Sequence, residues 1–300
     1  MPTSSTVRLA AVLAVIVAAM LWGTTGTTQA LLPEEREPLV VAALRLLVGA
    51  AALLVLAAAQ RPSRMGFADL PPASIVAAGA AIALYNVAFF MAVLGAGVGI
   101  GTALAIGSAP VWATLLEIVF ARRRPSPRQL LGQSLAIGGA ALLVLSGTAT
   151  DATAAGMALG VLAGASYAAY SLITSRISQS APSASIAAAT FSVAALLLAP
   201  LLLVLPTAWA LTPESWPKLA FLGVVVTGVS YALYTWGLRH VAPSTAVTLA
   251  LAEPLTAWLL ATAVVGETLT AGKIAGAALL LLGLAIVTGA VGRRPVPATP

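Results

Sequence analysis

Three charged residues stand inside long apolar stretches of the sequence: Arg45, Glu117 and Glu253. If those stretches cross a bilayer, each charge costs about 2.5–3.5 kcal/mol to insert and requires a partner, an interface or a water-filled cavity. Glu117 precedes Arg122 closely enough to reach the membrane surface, which favours a structural role. Arg45 and Glu253 lie deeper. They could form a buried ion pair or bind backbone groups, or they could handle a substrate or a proton, and both interpretations stay open.

Polar and aromatic side chains recur at similar depth in other apolar stretches. Spacings of three and four residues, as between Tyr231 and Tyr234 or Tyr85 and Phe89, place side chains on one face of a helix. A face of rings and hydroxyls suits a guest that is part apolar and part polar, whereas simple helix packing is the alternative. The candidate substrate-binding residues are Trp22, Tyr85, Asn86, Phe89, Tyr167, Tyr170, Ser230, Tyr231, Tyr234 and Glu253.

The composition places the chain in lipid. Hydrophobic residues make up 60% of the 300 residues and charged residues only 8%, and the mean hydropathy is +1.02. That is more apolar surface than one soluble core could hide. The excess of basic residues lies in short connections, which indicates membrane topology and argues against nucleic acid as a partner. The chain has no cysteine, which excludes disulfides and thiolate sites.

A helix needs about 20 apolar residues to cross the hydrocarbon core, and ten stretches qualify. They cover 8–32, 38–59, 71–94, 99–121, 128–147, 154–177, 183–205, 216–238, 243–265 and 271–291. The predicted fold class is therefore an all-α integral membrane protein with ten transmembrane helices.

The two halves of the sequence match at an offset of 144 residues without a gap. Pro110 falls on Pro254, Gly132 on Gly276 and Gly139 on Gly283. Each copy (1–150 and 151–300) holds five spans, so the second copy must enter the bilayer upside down relative to the first. Inverted repeats are typical of secondary transporters whose site lies at the midplane. Pro110 and Pro254, each near the middle of a span, are expected to kink their helices there; a gating role and a packing kink are both open.

The basic residues set the predicted orientation. Of the 15 lysines and arginines, only Arg36, Lys218 and Lys273 fall in connections on one side and Arg45 within a span; the rest lie on the other side. Both termini are therefore predicted to be cytoplasmic. The bias towards alanine, glycine, leucine and arginine is typical of a bacterial protein, which points to the inner membrane.

Several short motifs resemble the drug/metabolite transporter superfamily, specifically its EamA group with two EamA repeats. They are Trp22-Gly23, Leu44-Arg45, Glu253-Pro254, the 266–270 segment Gly-Glu-Thr-Leu-Thr, and the Gly276…Gly283 pair. Within the group the chain is similar to the YddG-type exporters of aromatic and other hydrophobic amino acids. This resemblance implies alternating access around a central cavity. The first half lacks two of the second half's acidic residues, with Ala109 opposite Glu253 and Arg123 opposite Glu267, so the halves are expected to differ in function.

Other functions fit the sequence less well. A carrier of cationic drugs or of another metabolite is the main alternative to an amino-acid exporter. An intramembrane enzyme is remote, because His240 is the only histidine and no catalytic or metal-binding motif is present. No P-loop and no cofactor motif occurs. Glycines 156, 160 and 164 indicate close helix packing, either inside a functional monomer or, as the alternative, in a dimer. Export coupled to protons and facilitated diffusion both stay open.

Overall fold

The computed structural model describes residues 4–60, 69–145, 152–265 and 269–291, and this part of the chain is helical with no strand. The spanning helices are α1 (Ser5–Ala30), α2 (Pro38–Ala59), α3 and α4 (together Pro72–Ala121), α5 (Pro127–Leu145), α6 (Ala154–Ile177), α7 (Ser183–Val204), α8 (Trp216–Gly237), α9 (Pro243–Ala263) and α10 (Ala271–Val291). The described residues form nine runs long and apolar enough to span a membrane, and division of the 50-residue run Pro72–Ala121 at Gly97 gives the ten predicted helices. The predicted boundary between the repeats at residue 150 lies outside the described residues, as do Glu267 and the basic residues Arg61, Arg64, Arg293 and Arg294.

Helices α3 and α4 follow each other with almost no loop. The helical run Pro72–Ala121 contains one non-helical residue, Gly97, with φ 77° and ψ 160°. That left-handed φ favours glycine, which has no Cβ to clash. Gly101 then lets α4 approach the end of α3, because a Cβ there would lie 2.8 Å from the carbonyl oxygen of Ala92. Gly97 therefore divides the run into α3 (72–96) and α4 (98–121).

Three spanning helices are irregular near the middle of the bundle. Helix α1 has a turn at Thr24, and α8 is π-helical over Phe221–Val229. Helix α9 breaks at Ala250 and Leu251, where i→i+3 hydrogen bonds replace the regular pattern. The break lies one turn before Pro254, which cannot donate a backbone hydrogen bond. The α4 backbone, by contrast, stays helical through Pro110.

Glycines at the contact of α5 with α10 show how the repeats are related. A Cβ added at Gly132 would lie 2.9 Å from the carbonyl oxygen of Gly283, and one at Gly276 would lie 2.9 Å from that of Gly139. These two contacts exchange under the 144-residue offset, as contacts across a two-fold axis do. The numbering runs in opposite directions along the two helices, so they are antiparallel. The axis is therefore perpendicular to the helices, and the repeats are inverted.

The three regularly spaced glycines of α6 pack against other helices of the same molecule. Gly156, Gly160 and Gly164 are buried and face the end of α3 and the length of α4. A Cβ at Gly164 would meet Ser108 and the carbonyl oxygen of Ala105. Close backbone approach of this kind is the usual role of small residues at membrane helix contacts, and it positions the α6 aromatic residues against α4.

Candidate substrate cavity

A cavity of about 370 Å³ lies between the two repeats. It extends from mid-membrane to the connection that holds Arg36 and to Val98 at the start of α4. This side of the molecule carries Glu34, Glu35 and Glu37 and is here called the acidic face. Seven helices line it, α1, α2, α3, α4, α6, α8 and α9. Eight of the sequence-predicted residues border it: Trp22, Arg45, Tyr85, Asn86, Phe89, Tyr167, Tyr231 and Glu253.

Arg45 is the most unusual residue of the wall. It is only 7% exposed, and its Nε atom has no hydrogen-bond partner among the described residues. Glu253 borders the same cavity from α9. The two charges are near enough to interact through space, but no hydrogen bond or ion pair between them occurs in the described part of the chain. The ion pair considered from the sequence is therefore not formed, and both charges are directed at the cavity.

Trp22 is the centre of an aromatic cluster at the inner end of the cavity. Its ring centroid lies 4.8 Å from that of Tyr231, 5.3 Å from that of Tyr234 and 6.1 Å from that of Tyr167. The indole Nε1–H donates a 2.8 Å hydrogen bond to the hydroxyl of Ser230, and this hydroxyl in turn bonds to the carbonyl oxygen of Val226. These contacts hold the indole ring in one orientation against the cavity.

Two further polar groups border the cavity. Asn86 donates its amide N–H to the carbonyl oxygen of Ile82, at 2.9 Å, so this group is committed to its own helix. The Tyr167 hydroxyl is buried and lies near the hydroxyl of Tyr234, and Tyr167 borders the cavity.

Three predicted binding residues, Tyr170, Ser230 and Tyr234, do not border the cavity. All three side chains are fully buried, in a packed layer below the cavity floor. The Tyr234 hydroxyl is 2.9 Å from that of Ser171, and the Tyr170 hydroxyl is 3.5 Å from that of Thr235. Tyr167 and Tyr231 border the cavity and the residues three positions further along do not, because helical spacing gives the face of a helix but not the depth at which a cavity ends.

The cavity also has polar residues that the sequence did not single out. Gln29 and Arg36 border its mouth, and Thr102 borders it from α4. The Arg36 guanidinium donates to the carbonyl oxygen of Pro33 at 3.2 Å. Residues in a connection carry no helical periodicity, so the sequence offered no signal for Arg36. Gln29 and Thr102 could have been found only as polar interruptions of apolar spans.

A second cavity, of about 320 Å³, lies at the opposite end of the helices. This end, here called the basic face, carries several of the arginines that predicted the cytoplasmic side, among them Arg123, Arg124 and Arg239. The second cavity is lined by Arg8, Glu117, Arg123, Arg124, Ser126, Gln129, Ser175, Ser178, Gln179, Leu238, Arg239, His240, Val241, Ala242, Pro243, Thr245 and Val287. Desolvation, followed by the nearby Arg239 charge, holds the pKa of His240 below its ordinary value, so this side chain is neutral at neutral pH.

Glu117 behaves differently from the sequence prediction. It was expected to reach the membrane surface beside the arginines, but it is only 5% exposed. Its two carboxylate oxygens instead accept hydrogen bonds from the backbone N–H and the hydroxyl of Ser244, at 3.0 and 2.8 Å. The contact joins the first repeat to the second across 127 residues of sequence, which no local pattern could reveal.

Known proteins support the architecture. The model of the EamA-like transporter family matches residues 9–145 and 154–289, which are the two repeats. A Bacillus subtilis (strain 168) protein named "Uncharacterized transporter YwfM" is 38% identical over 276 residues, covering 92% of this chain and 93% of the relative. An Archaeoglobus fulgidus "Uncharacterized transporter" is 42% identical over 72 residues, 24% of this chain and 27% of its own.

A solved crystal structure shares the fold. It superposes with a TM-score of 0.81 at 20% sequence identity and covers 94% of this chain and 99% of its own. Two repeats of one family, a full-length relative named as a transporter and a cavity between the inverted halves agree with one another. The chain belongs to the EamA-like transporter family, as a multi-pass membrane protein that moves small molecules and is not an enzyme.

Proposed function

We propose that this transporter exports neutral amino acids with aromatic or other hydrophobic side chains. The proposed site is the cavity on the acidic face. The observation that carries the proposal is the pair of unlinked opposite charges, Arg45 and Glu253, on the wall of one ring-lined cavity. A zwitterion presents a carboxylate and an ammonium group, and it needs a partner for each.

The guanidinium of Arg45 suits the carboxylate of such a substrate. Arginine offers five N–H donors in a planar fork that matches a carboxylate. Burial of an unpaired arginine is costly, so a bound anion would be stabilised strongly here. Glu253 would meet the ammonium group, with the hydroxyl of Tyr167 on the same cavity wall as a further acceptor.

The rest of the wall suits an apolar side chain. Trp22, Tyr85, Phe89 and Phe90 surround the space next to the charges, and Val93 and Ile106 extend it towards the acidic face. The cavity volume of about 370 Å³ falls in the range of small-molecule sites, roughly 300–1,000 Å³. Because a single chain supplies the whole wall, a monomer would suffice for transport.

The direction of transport follows from the proposed orientation. The basic face would lie in the cytoplasm of a bacterial cell, with both termini there and the protein in the inner membrane. The structure is open on the acidic face, which in this orientation is the release side of an exporter. Alternating access would carry the substrate past the layer that contains Tyr170 and Tyr234.

The test is transport by the purified protein in liposomes. Radiolabelled phenylalanine, methionine and a quaternary ammonium compound are measured side by side. Phenylalanine and methionine are expected to be transported, and each should inhibit transport of the other. The quaternary cation is expected not to be transported.

Movement of the cation alone would contradict the proposal. Rings and the Glu253 carboxylate would then form the site without Arg45, as in a carrier of cationic drugs. Empty liposomes and liposomes that contain the Glu253→Gln variant are the controls for leakage.

A further inference from the structure

A packed layer separates the two cavities. The cavity on the acidic face, called the outer cavity below, ends at Val247 on α9. The second cavity at the basic face, called the inner cavity, begins at Thr245, two residues earlier in the sequence. On the opposite wall, α6 contributes Tyr167 to the outer cavity and Ser175 to the inner one. Alternating access requires this layer to open towards the basic face in the other conformation, so contacts that hold it closed control the cycle.

The Glu117–Ser244 pair is a buried polar contact near this layer. Both carboxylate oxygens of Glu117 are used, and the Ser244 hydroxyl also accepts a 2.8 Å hydrogen bond from Gln129 Nε2. Glu117 is 5%, Ser244 0% and Gln129 8% exposed. Hydrogen bonds to a charged group are about twice as strong as neutral ones. The group joins α4 and α5 of the first repeat to the start of α9 in the second.

This contact has no equivalent in the other half of the inverted repeat. The positions equivalent to Glu117 and Ser244 at the 144-residue offset are Ala261 and Ile100. Neither side chain can form a charged hydrogen bond. A conformation in which the acidic face is closed would therefore lack the equivalent contact. A contact that must break before the basic face can open would favour the closed basic face over the closed acidic face.

We infer that Glu117, Ser244 and Gln129 form a latch that keeps the basic face closed and makes the acidic-face-open conformation the resting state. The latch rests on the transport cycle proposed above but not on the identity of the substrate. In an exporter it must open before a cytoplasmic substrate can load, so it sets the rate at which the empty protein becomes accessible from the basic face.

Thiol labelling tests the latch without any substrate. The chain has no native cysteine, so single cysteines report on one position each. Thr174→Cys places a thiol in the closed layer at a residue that is 1% exposed. Thr102→Cys places one on the wall of the outer cavity. An impermeant maleimide is added to either side of membrane vesicles of known orientation.

Loss of the latch should shift both reporters in opposite directions. In the Glu117→Ala background, Thr174→Cys should label from the basic face at least about tenfold faster, given the strength of a charged hydrogen bond. Thr102→Cys should label more slowly from the acidic face. Ser244→Ala, which keeps the backbone N–H donor, should give a smaller shift of the same sign.

The matched control is Thr245→Val, which removes a neighbouring hydroxyl of the inner cavity but no latch contact. It should leave both labelling rates unchanged. Unchanged rates in Glu117→Ala and Ser244→Ala would overturn the latch, and so would faster labelling of both reporters, which indicates general loosening. If labelling shifts while phenylalanine transport is absent, the latch stands and the proposed substrate is wrong.

Discussion

Helices α4 and α9 occupy equivalent places in the two repeats but carry their acidic residues at different depths. Helix α9 holds Glu253 at mid-membrane, directly before Pro254, and its backbone breaks one turn earlier. Helix α4 has Ala109 before Pro110 and stays helical there, and its buried acidic residue, Glu117, lies two turns further on. The carboxylate of α9 faces the cavity, whereas that of α4 is bound to Ser244.

We propose that this difference separates two tasks. The break in α9 lies at the cavity and places a charge where a substrate could meet it, while the regular α4 carries a charge that ties the repeats together at one end. A strictly symmetric repeat would have the same group at both sites and would favour neither closure. The inequality predicted from Ala109 is visible in the structure as a difference in the depth and the surroundings of the two carboxylates.

Removal of the cavity charges should have the largest effect. Arg45→Ala and Glu253→Gln are each expected to reduce phenylalanine transport by roughly 10- to 100-fold, because hydrogen bonds between charged groups contribute about 1.5–3 kcal/mol each. Initial rates in liposomes over a range of substrate concentrations are the measurement. Lys218→Ala is the control, since Lys218 lies outside the cavity, is partly exposed, and its ammonium group bonds only to the carbonyl oxygen of Glu214 among the described residues. An equal loss of phenylalanine transport in Lys218→Ala would show that the effect comes from the loss of any charge and not from the cavity charges.

Substitution of the glycines that pack against α4 and α9 should have the next largest effect. A Cβ at Gly164 would meet Ser108 and the α4 backbone, and one at Gly23 would lie 2.7 Å from the carbonyl oxygen of Glu253. Gly164→Ala and Gly23→Ala should therefore each destabilise the protein, by about 1–3 kcal/mol, which is the usual cost of overpacking. Thermal unfolding in detergent measures this. Gly107→Ala, whose Cβ would have no contact closer than 3.8 Å, should unfold at the wild-type temperature or above.

The two prolines should differ in their effect on turnover. Pro254→Ala restores a backbone donor next to the break in α9 and should slow transport several-fold, because a continuous helix would resist movement at the cavity. Pro110→Ala should change the rate little, since α4 is already helical there. Single-turnover transport at saturating phenylalanine checks both. A larger effect of Pro110→Ala than of Pro254→Ala would contradict the idea that α9, and not α4, moves at the cavity during transport.

The smallest effect concerns pH at the basic face. The pKa of His240 is lowered by desolvation and by Arg239, so the folded state binds this proton less readily than the unfolded state does. Stability should then fall slightly as the pH drops from the ordinary histidine pKa through the lowered value, and it should be unaffected above that range. Thermal unfolding between pH 7.5 and 5, as an approximate range set by the histidine pKa, should show a shallower slope for His240→Gln than for wild type.

The sequence predicted the helices well because a membrane span is defined by length and hydropathy alone. The predicted 154–177 and 38–59 coincide with α6 and α2. The inverted relation of the halves also followed from the odd number of spans. The π-helical part of α8 was not predicted, because its hydrogen-bond register depends on packing and not on an apolar pattern.

The site could be predicted only in part. Helical spacing indicated which face of α3, α6 and α8 carries polar aromatic residues, since residues three or four apart share a face. Tyr85, Tyr167 and Tyr231 from these faces border one cavity. The spacing could not tell that Tyr234 and Tyr170 lie below the floor, because depth depends on where neighbouring helices close. The partner of Glu117 was missed for the same reason, as Ser244 is distant in sequence and is not itself an unusual residue in a membrane helix.

The central claim is that Arg45 and Glu253 recognise the two charges of one amino acid, and binding to the purified protein tests it most directly. Isothermal titration would compare phenylalanine with 2-phenylethylamine, which lacks the carboxylate, and 3-phenylpropionate, which lacks the ammonium group. Phenylalanine should bind roughly tenfold or more tightly than either analogue, and Arg45→Ala should bring phenylalanine down to the level of 2-phenylethylamine. Equal binding of phenylalanine and 2-phenylethylamine to the wild type would contradict the account, because the carboxylate would then contribute nothing and Arg45 would not be a substrate contact.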